Sequence, residues 1–340
     1  MTRSLNLAVI GAGRIGKLHG ENIATRISSA RLSAVADVNL AAAREVAERF
    51  NVPLATPDYR AALADPSIDA VAICSATNTH AEIILEAAAA GKHVFCEKPI
   101  DYDVPRIRRC LEAVAKAGVK LQIGFNRRFD PSFAKARELV AAGQIGQPHV
   151  VRITSRDPAP PPLEYLKVSG GIFLDMTIHD FDMVRFLSGS EAEEIYALGD
   201  ALVDPDIGRA GDVDTAIVTM RLKNGALATI DNSRQAIYGY DQRVEVFGSG
   251  GMVSVSNRTP DNHILADASG VHAAKPQYFF LERYQESYIA EVQAFVDCVL
   301  RDRPTPVTGE NGLAPVLMGL AATKSLKERR PVMLREVAST

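Results

Sequence analysis

The chain has 340 residues, with 38 Lys and Arg against 41 Asp and Glu, so its formal net charge is −3. At roughly 150 residues per domain, this length predicts about two domains. The balanced charge argues against nucleic acid or an anionic membrane as a partner. Hydrophobic residues make up 47% and charged residues 23%, as in globular proteins. No apolar run reaches the ~20 residues of a membrane helix, so we predict a soluble protein.

The four cysteines show no pattern of a metal site or a redox pair. Cys74, Cys96, Cys110 and Cys298 form no CxxC motif and no short metal-ligand spacing. Two of them end apolar, strand-like runs, where cysteine acts as a small hydrophobe. The first residues carry too short an apolar stretch for a secretory signal. We therefore predict reduced, structural thiols and a cytoplasmic location.

Short apolar runs alternate with alanine-rich helical stretches over the first 125 residues. The predicted strands are Leu5–Ile10, 30–37, 69–76, 93–99 and 119–125. Helical stretches include Leu40–Phe50 and 80–92. Because the strands are apolar throughout rather than alternating, they are typical of a parallel sheet that helices cover on both faces. Repeated βα units predict a doubly wound fold.

The pattern changes after about residue 148. Apolar and polar residues alternate along 213–222, which predicts a sheet with one packed face. The following Asn224–Gly225 pair predicts a hairpin turn. A second hairpin is predicted over 242–249 and 251–256.

Two helical runs, 284–300 and 312–328, close the chain, and the proline-rich stretch 157–162 predicts a stiff surface loop. The fold class is therefore an α/β Rossmann domain plus an α+β domain with an open, mostly antiparallel sheet. We assign residues 1–125 to the first domain and 126–340 to the second. Packing of the terminal segment back on the Rossmann domain remains an alternative.

A glycine-rich turn follows the first strand and opens a helix. Gly11, Gly13 and Gly16 of GAGRIG supply the tight bend, the close approach to a pyrophosphate and the helix–strand packing of a dinucleotide site. The helix N-terminus offers free N–H groups to the phosphates. Asp37 ends the second strand 37 − 16 = 21 residues later, where a carboxylate binds the ribose hydroxyls and repels a 2′-phosphate. The combination favours NAD over NADP, although an ordinary strand-end turn would also accommodate Asp37.

Further cofactor contacts are predicted at the carboxyl ends of parallel strands, where open α/β sheets bind ligands. The segment SATNTH follows one central strand, and Glu97-Lys98-Pro99 ends the next. Together with the glycine turn, these segments predict additional cofactor-binding residues Arg14, Ile15, Ser75, Thr77, Asn78, His80, Glu97 and Lys98.

Polar residues interrupt the apolar stretch GGIFLDMTIHDFDM. If the stretch is helical, Asp175, His179 and Asp182 share one face at spacings i, i+4 and i+7. Histidine is the natural proton acceptor near neutral pH, and a nearby carboxylate can orient it. Two alternatives remain. Asp175 and His179 could ligate a metal, or they could be a helix-terminal carboxylate and a core histidine. Asp182 is interpreted as structural.

Taken together, GAGRIG, Asp37, CEKP and GGIFLDMTIHDFDM resemble the glucose–fructose oxidoreductase/inositol dehydrogenase (Gfo/Idh/MocA) family over nearly the whole chain. Residues 124–130, GFNRRFD, are most similar to bacterial inositol 2-dehydrogenases. The resemblance implies an N-terminal Rossmann domain, a C-terminal open sheet that commonly builds a tetramer, and catalysis by Lys98, Asp175 and His179. It further implies substrate-binding positions at Asn126, Arg127, Asp157, Thr177 and Tyr240.

The resulting prediction is an NAD-dependent dehydrogenase that oxidises a ring hydroxyl of myo- or scyllo-inositol to the ketone. His179 would be the general base, and Lys98 would stabilise charge on the same oxygen. A glucose-type aldopyranose has nearly the same ring outline, so a sugar dehydrogenase that forms a lactone is the alternative.

Two rivals come from other classes. A non-catalytic NAD-binding sensor would not need Lys98, Asp175 and His179, and a metal-dependent lyase or isomerase would need further ligands. No metal is predicted, and a homotetramer is expected.

Overall fold

The computed structural model describes residues 4–338, and the chain divides into two compact units. The first unit contains residues up to 129 together with 286–314. The second contains residues 130–285 together with those from 315 onward. The segment 286–314 is therefore grouped with the first unit. The sequence pattern assigned all of 126–340 to the second domain, with packing of the terminal segment on the Rossmann domain as the alternative.

The first unit is built from βα units. Its strands are β1 (Leu5–Ile10), β2 (Ala30–Ala36), β3 (Leu54–Thr56), β4 (Ala70–Ile73), β5 (His93–Glu97) and β6 (Leu121–Gly124). Its first helices are α1 (Arg14–Thr25), α2 (Leu40–Phe50), α3 (Tyr59–Ala64), α4 (Thr77–Ala89) and α5 (Val104–Ala117). The strands pair in parallel in the order β3-β2-β1-β4-β5-β6. The predicted Rossmann-type sheet is confirmed.

Burial explains why these strands are apolar throughout. Every side chain of β4 is buried, as are five of the six in β1, because helices cover both faces of the sheet. On one face, Phe95 of β5 packs in a core with Ile23 of α1 and Phe295 of the later segment. Strand β3 was not predicted, since its three residues are too few to show a pattern.

The remaining chain begins with a 3₁₀ helix, Asn126–Phe129, and continues with α6 to α14 and β7 to β15. The strands are β7 (Pro148–Arg156), β8 (Ala192–Asp200), β9 (Thr215–Leu222), β10 (Leu227–Ser233), β11 (Asp241–Gly248), β12 (Gly251–Val255), β13 (Ile264–Asp267), β14 (Gly270–Ala273) and β15 (Val332–Met333). The helices are α6 (Pro131–Ala141), α7 (Leu163–Leu166), α8 (Gly171–Asp175), α9 (Thr177–Ser188), α10 (Pro205–Arg209), α11 (Phe280–Arg283), α12 (Gln285–Leu300), α13 (Gly309–Glu328) and α14 (Arg335–Ala338).

The second unit contains a seven-stranded sheet in the order β12-β11-β7-β10-β9-β8-β15. Only the β7–β10 pair is parallel, so the prediction of an open, mostly antiparallel sheet is confirmed. Both predicted hairpins are present, as β9–β10 and β11–β12. Along β9, buried residues such as Val218 alternate with exposed ones such as Thr219, and the buried face packs towards helices. No helix among the described residues combines the length and apolarity needed to cross a membrane.

Candidate active site

The glycine turn of the first unit has the backbone geometry of a dinucleotide cradle. Gly11 has φ +97°, and a Cβ there would lie 2.6 Å from the carbonyl carbon of Cys74. A Cβ on Gly16 would overlap the carbonyl oxygen of Gly11, so helix α1 can approach β1 only with glycine at this position. A Cβ on Gly13, by contrast, would meet no atom within 4 Å, so there is open space beside the turn.

The start of helix α1 also lacks a side-chain cap. Gly13 is the N-cap, no side chain caps the helix, and its first turn contains no acidic residue. Helices α2, α3 and α5 are capped by the side chains of Asn39, Asp58 and Asp103. The uncapped N–H groups of α1 are therefore available to phosphate oxygens. This cradle fits the pyrophosphate of a dinucleotide.

Asp37 follows β2 at the same edge of the sheet. Its Oδ2 accepts a 2.6 Å hydrogen bond from the Ala12 N–H in the glycine turn, and its Oδ1 accepts one from the Asn39 N–H. The half-buried carboxylate is thereby fixed beside the turn, at the position that reads the ribose in dinucleotide sites.

The segment after β4 supplies the next predicted cofactor residues. Helix α4 begins at Thr77 without a side-chain cap, and the hydroxyls of Ser75 and Thr79 lie 2.7 Å apart. His80, in contrast, is 1% exposed, and its two ring nitrogens face the carbonyl oxygens of Pro99 and Ser75. Burial lowers the pKa of His80, against the effect of these two carbonyls. Its ring holds the backbone, and a direct cofactor contact remains a prediction.

The side chain of Glu97 points into the interior of the first unit. Its Oε1 accepts a 2.7 Å hydrogen bond from Nε2 of His19, which is completely buried on α1. Glu291 of α12 lies on the other side, with an oxygen 3.9 Å from the same nitrogen. Both Glu291 oxygens are buried without a hydrogen-bond partner. This group was not predictable from the sequence, because its members lie on three elements far apart in the chain.

His19, Glu97 and Glu291 are the group of metal-ligand composition found among residues 4–338. Ligand atoms around a tetrahedral zinc at 2.0–2.2 Å lie about 3.3–3.6 Å from one another. The 2.7 Å separation of His19 Nε2 and Glu97 Oε1 is instead that of a charge-assisted hydrogen bond. The geometry therefore favours a hydrogen-bonded pair over a metal centre.

Glu291 carries a testable pH dependence. Burial, and then the neighbouring Glu97, raise the pKa of Glu291 well above its usual 4.5, so the folded protein holds a proton that the unfolded chain releases. The free energy of unfolding therefore falls as pH rises above the pKa that Glu291 has in the unfolded chain. Glu291→Gln removes this dependence, and we expect it to raise the free energy of unfolding by an amount that grows from pH 5 to pH 8.

Urea unfolding of both proteins at these two pH values measures the effect of Glu291→Gln. The matched control is Glu112→Gln on the exposed side of α5, where no difference between the two pH values is expected. A Glu291→Gln gain that is equal at both pH values would show that Glu291 is ionised in the folded protein.

In the second unit, Asp175 is held by two side chains that sequence analysis missed. Its Oδ1 accepts a 2.8 Å hydrogen bond from the Tyr165 hydroxyl, and its Oδ2 accepts one of 3.1 Å from Arg234. Arg234 is 1% exposed and lies 3.7 Å from a second carboxylate, that of Asp212. The position of Arg234, a charged residue directly after the alternating strand β10, is the sequence signal that could have identified it. These contacts fix the orientation of the Asp175 carboxylate.

The helix considered for the Asp175–His179 stretch is in fact two helices. Asp175 ends α8, Met176 has φ −96° and ψ −60°, and α9 starts at Thr177. His179 is thus in the first turn of α9, half-buried, directly after the break. Asp182, one turn on, is buried 3.7 Å from Arg185, in agreement with a structural role.

Asn232 of β10 anchors the start of α9. Its Oδ1 accepts a 2.6 Å hydrogen bond from the Thr177 hydroxyl, and its amide donates to Asp180 at 2.9 Å and to the Ser155 carbonyl. Thr177 is completely buried, and its hydroxyl also contacts the Ile172 carbonyl. The side chain of Thr177 therefore supports the helix that carries His179, and a substrate contact by it remains a prediction.

The other predicted substrate residues differ in their surroundings. Asn126, in the 3₁₀ helix after β6, is 2% exposed, and its side-chain amide nitrogen has no hydrogen-bond partner. Arg127 beside it is also buried. In the second unit, Tyr240 packs edge-on against Tyr284, and Asp157 is half-buried at the end of β7. The Asp157 backbone pairs with Ser233 and with residue 236.

The cysteines agree with the sequence prediction. All four are free and buried. Burial raises the pKa of the Cys74 and Cys96 thiols well above its usual value, and that of Cys110 to about 11. Protonated, buried thiols are poor nucleophiles.

Comparison with known proteins gives two family matches. Residues 5–125 match the model for an oxidoreductase family with an NAD-binding Rossmann fold, and residues 133–254 match the GFO/IDH/MocA C-terminal domain. The chain belongs to the Gfo/Idh/MocA oxidoreductase family. It is an NAD-dependent dehydrogenase that acts on CH–OH groups.

Several Gfo/Idh/MocA relatives span the full length of the chain. A myo-inositol 2-dehydrogenase of Thermotoga maritima is 52% identical over 98% of this chain and 99% of its own. An NAD(+)-dependent scyllo-inositol 2-dehydrogenase of Bacillus subtilis is 36% identical over 98% and 97%. The crystal structure of scyllo-inositol dehydrogenase from Lactobacillus casei, with bound NAD(H) and scyllo-inositol, has a TM-score of 0.92 and 32% identity over 98% and 100%.

The position of Asp37 predicts the cofactor preference of this Gfo/Idh/MocA member. Asp37→Asn keeps an acceptor for the Ala12 N–H but removes the charge that repels a 2′-phosphate. Because unit charges about 4 Å apart interact by roughly 1–4 kcal/mol near a protein surface, we expect the NAD-to-NADP ratio of kcat/KM to fall about tenfold or more. Steady-state rates with both cofactors measure this ratio. An unchanged ratio, or an NADP preference in the unmodified enzyme, would contradict the role of Asp37.

Proposed function

We propose that this dehydrogenase oxidises a ring hydroxyl of a cyclic polyol, myo- or scyllo-inositol, to the ketone with NAD. The observation that carries the proposal is the full-length similarity, at 52% identity, to a protein named myo-inositol 2-dehydrogenase. A relative named for scyllo-inositol is more distant, at 36%. This order favours myo-inositol as the preferred isomer.

The proposed chemistry divides the work between cofactor and protein. NAD, when bound, accepts the hydride from the ring carbon. His179 takes the hydroxyl proton as general base, because neutral imidazole is a suitable acceptor near pH 7. Lys98 donates a hydrogen bond to the same oxygen and stabilises its developing negative charge. Asp175 orients His179 or a neighbouring hydroxyl, and its own orientation is supported by Arg234 and Tyr165.

Recognition of the polyol is proposed to use polar groups that a ring hydroxyl can satisfy. The Asn126 amide is buried and lacks a partner, and leaving such a donor unsatisfied costs about 1–3 kcal/mol. A hydroxyl-rich ring supplies an acceptor in addition to its reacting hydroxyl, whereas a simple alcohol has only the reacting hydroxyl. Arg127, Asp157 and Tyr240 complete the proposed substrate set, and Thr177 supports it through Asn232.

Cofactor contacts are proposed for Gly11, Gly13 and Gly16 and for Asp37. They are also proposed for the other predicted residues at the start of α1, in the segment after β4 and at the end of β5. Arg14 and Ile15 lie in the first turn of α1, while Ser75, Thr77 and Asn78 lie where α4 begins. Glu97 and His80 are buried and are proposed to act on the cofactor site through the backbone. A homotetramer and a cytoplasmic location also remain predictions.

The tetramer prediction is supported by the exposed face of the large sheet. That face carries apolar side chains that are about half-exposed: Leu198, Ile217, Leu227, Phe247 and Met252. Apolar surface of this kind often marks a subunit contact.

Analysis of the reaction product tests the proposed function against its main alternative. Oxidation of an inositol yields a ring ketone, whereas oxidation of an aldopyranose at its anomeric carbon yields a lactone that hydrolyses to an acid. NMR of the product formed from each substrate distinguishes them. A lactone from a glucose-type sugar, formed with higher kcat/KM than the ketone of any inositol, would replace the proposal by the sugar dehydrogenase alternative. Absence of turnover with every polyol and sugar would overturn the proposed substrate class.

A further inference from the structure

Two buried histidines contact the residues on either side of Lys98. His19 hydrogen-bonds the side chain of Glu97, and His80 contacts the backbone carbonyl of Pro99. Both histidines are at most 1% exposed. The chemistry assigned to Lys98 uses neither of them, and neither is explained by core packing alone, because each directs a ring nitrogen at a specific oxygen.

The contact to Glu97 is short, and the His19 side chain that makes it is completely buried. Nε2 of His19 lies 2.7 Å from Oε1 of Glu97, and the ring packs edge-on against Phe95 and Tyr288 at 5.2 and 5.7 Å between centroids. The carboxylate can only accept, so Nε2 carries the hydrogen. Gly124 of β6 leaves the room that Glu97 needs, since a Cβ there would lie 3.0 Å from Oε2.

The contact to Pro99 uses the opposite pattern of ring atoms. Nδ1 of His80 lies 2.8 Å from the Pro99 carbonyl oxygen, and Nε2 lies 3.0 Å from that of Ser75. Neutral imidazole has one N–H, so the ring donates to one carbonyl at a time. When the hydrogen is on Nδ1, His80 ties the backbone after Lys98 to helix α4, which carries the ring.

The two contacts reach Lys98 from opposite faces of the parallel sheet. Along the strand order of the sheet, α1 leads from β1 to its neighbour β2 in one direction, and α4 leads from β4 to its neighbour β5 in the opposite direction. Right-handed crossovers therefore place α1 and α4 on opposite faces. Glu97 and Phe95, two residues apart on β5, both contact His19 on the α1 face.

Each histidine also belongs to an element that shapes the cofactor site. His19 is on α1, whose N-terminus continues the glycine turn, and His80 is on α4 and contacts the Ser75 carbonyl at the end of β4. Displacement of either element by a bound dinucleotide would thus be transmitted to the residues that flank Lys98.

We propose that His19 and His80 are positioning residues that fix Lys98 from both faces of the sheet and tie its position to the cofactor-binding elements. We call the set His19, Glu97, His80 and the Pro99 carbonyl the histidine clamp. This inference rests on the proposed function, in which Lys98 acts on the reacting oxygen.

Asparagine and glutamine substitutions separate the ring atoms of each histidine. The Asn side-chain amide occupies the place of Nδ1, and the Gln amide occupies that of Nε2. His80→Asn therefore keeps a donor for Pro99, whereas His80→Gln loses it. At position 19 the two substitutions have the opposite effects, because Nε2 of His19 makes the contact. His19→Gln keeps the donor for Glu97, and His19→Asn loses it.

We expect kcat to follow these contacts in opposite order at the two positions. His80→Gln and His19→Asn should lower kcat about 10–100-fold, as loss of groups that orient a functional side chain does. His80→Asn and His19→Gln keep the donor, so each should lower kcat less than the other variant at the same position. In His80→Gln and His19→Asn, the NADH dissociation constant measured by fluorescence should change less than kcat. Rates are expressed per NADH-binding site, so that unfolded protein does not lower them.

Two controls keep the outcomes distinct. His93→Gln, at the opposite end of β5, should leave kcat unchanged, because His93 Nδ1 accepts a hydrogen bond from the Lys120 backbone N–H, far along the strand from Lys98. Lys98→Met is measured in parallel. If Lys98→Met keeps its kcat, the proposed function of Lys98 fails. Two results would overturn the histidine clamp even if Lys98→Met loses activity. In the first, the same substitution, Asn or Gln, lowers kcat more at both positions 19 and 80. In the second, all four variants match the unmodified enzyme.

Discussion

Replacing Lys98 by Met or His179 by Asn is expected to lower kcat for the preferred polyol by about 10²–10⁴-fold, the usual contribution of general acid–base groups. Lys98→Met keeps the length of the side chain but cannot donate to an oxygen that gains charge. His179→Asn keeps a polar side chain in the first turn of α9 but has no group that accepts a proton near neutral pH. Stopped-flow measurement of NADH formation in a single turnover isolates the chemical step.

The two variants should fold as the unmodified enzyme does, because both side chains are half-buried rather than part of a core, and NADH binding should change far less than the single-turnover rate. Thermal unfolding and NADH fluorescence check this. A matched substitution in the same helix, Asp182→Asn, should change stability more than the single-turnover rate, because Asp182 is buried beside Arg185. Single-turnover rates within tenfold of the unmodified enzyme for both Lys98→Met and His179→Asn would contradict the proposed mechanism.

Arg234→Met is expected to produce the largest loss of stability, about 3–5 kcal/mol, because removing one partner of a buried ion pair leaves the other charge uncompensated. The guanidinium is 1% exposed and lies 3.1 Å from Asp175 and 3.7 Å from Asp212. Its loss also frees Asp175, so kcat should fall in the protein that remains folded. Urea unfolding at pH 7 measures the free energy.

An exposed arginine of the same sheet provides the control for Arg234. Arg221 on β9 lies 4.0 Å from Glu194, and its side chain is 58% exposed. Pairs of this kind contribute about 0–1 kcal/mol, so Arg221→Met should have little effect. Asp175→Asn combined with Arg234→Met should restore part of the stability, because it removes the unpaired carboxylate. An Arg234→Met loss no larger than that of Arg221→Met would contradict the role assigned to the buried pair.

The regular parts of the fold were predictable because each carries its own periodicity. Helix α2 spans Leu40–Phe50, as predicted, since its apolar residues recur at helical spacing and Asn39 caps its start. Apolar and polar residues alternate along β9, and buried and exposed side chains alternate at the same positions. The hairpin at Asn224 follows from turn chemistry alone. In each case the signal lies within a dozen consecutive residues.

Features that depend on distant residues were not predictable in the same way. The break at Met176 leaves helical residues on both sides, so the apolar pattern continues across it. Grouping of residues 286–314 with the first unit depends on packing of Phe295 and Val292 against β5 and α1, which periodicity does not reveal. Arg234 and Glu291 are single charged residues whose partners are many positions away. Sequence motifs therefore supply the residues proposed to react, such as Lys98 and His179, but not the contacts that hold Asp175 or Glu97.

The central claim, that a cyclic polyol is the substrate, is tested most directly by initial rates of NADH formation at saturating NAD. The panel contains myo-inositol, scyllo-inositol, glucose-type aldoses, an acyclic alcohol and a 2-hydroxy acid. We predict the highest kcat/KM for an inositol, with myo-inositol above scyllo-inositol, because a hydroxyl-rich ring satisfies buried donors such as the Asn126 amide. A higher kcat/KM for the acyclic alcohol or the 2-hydroxy acid than for every ring polyol would contradict it.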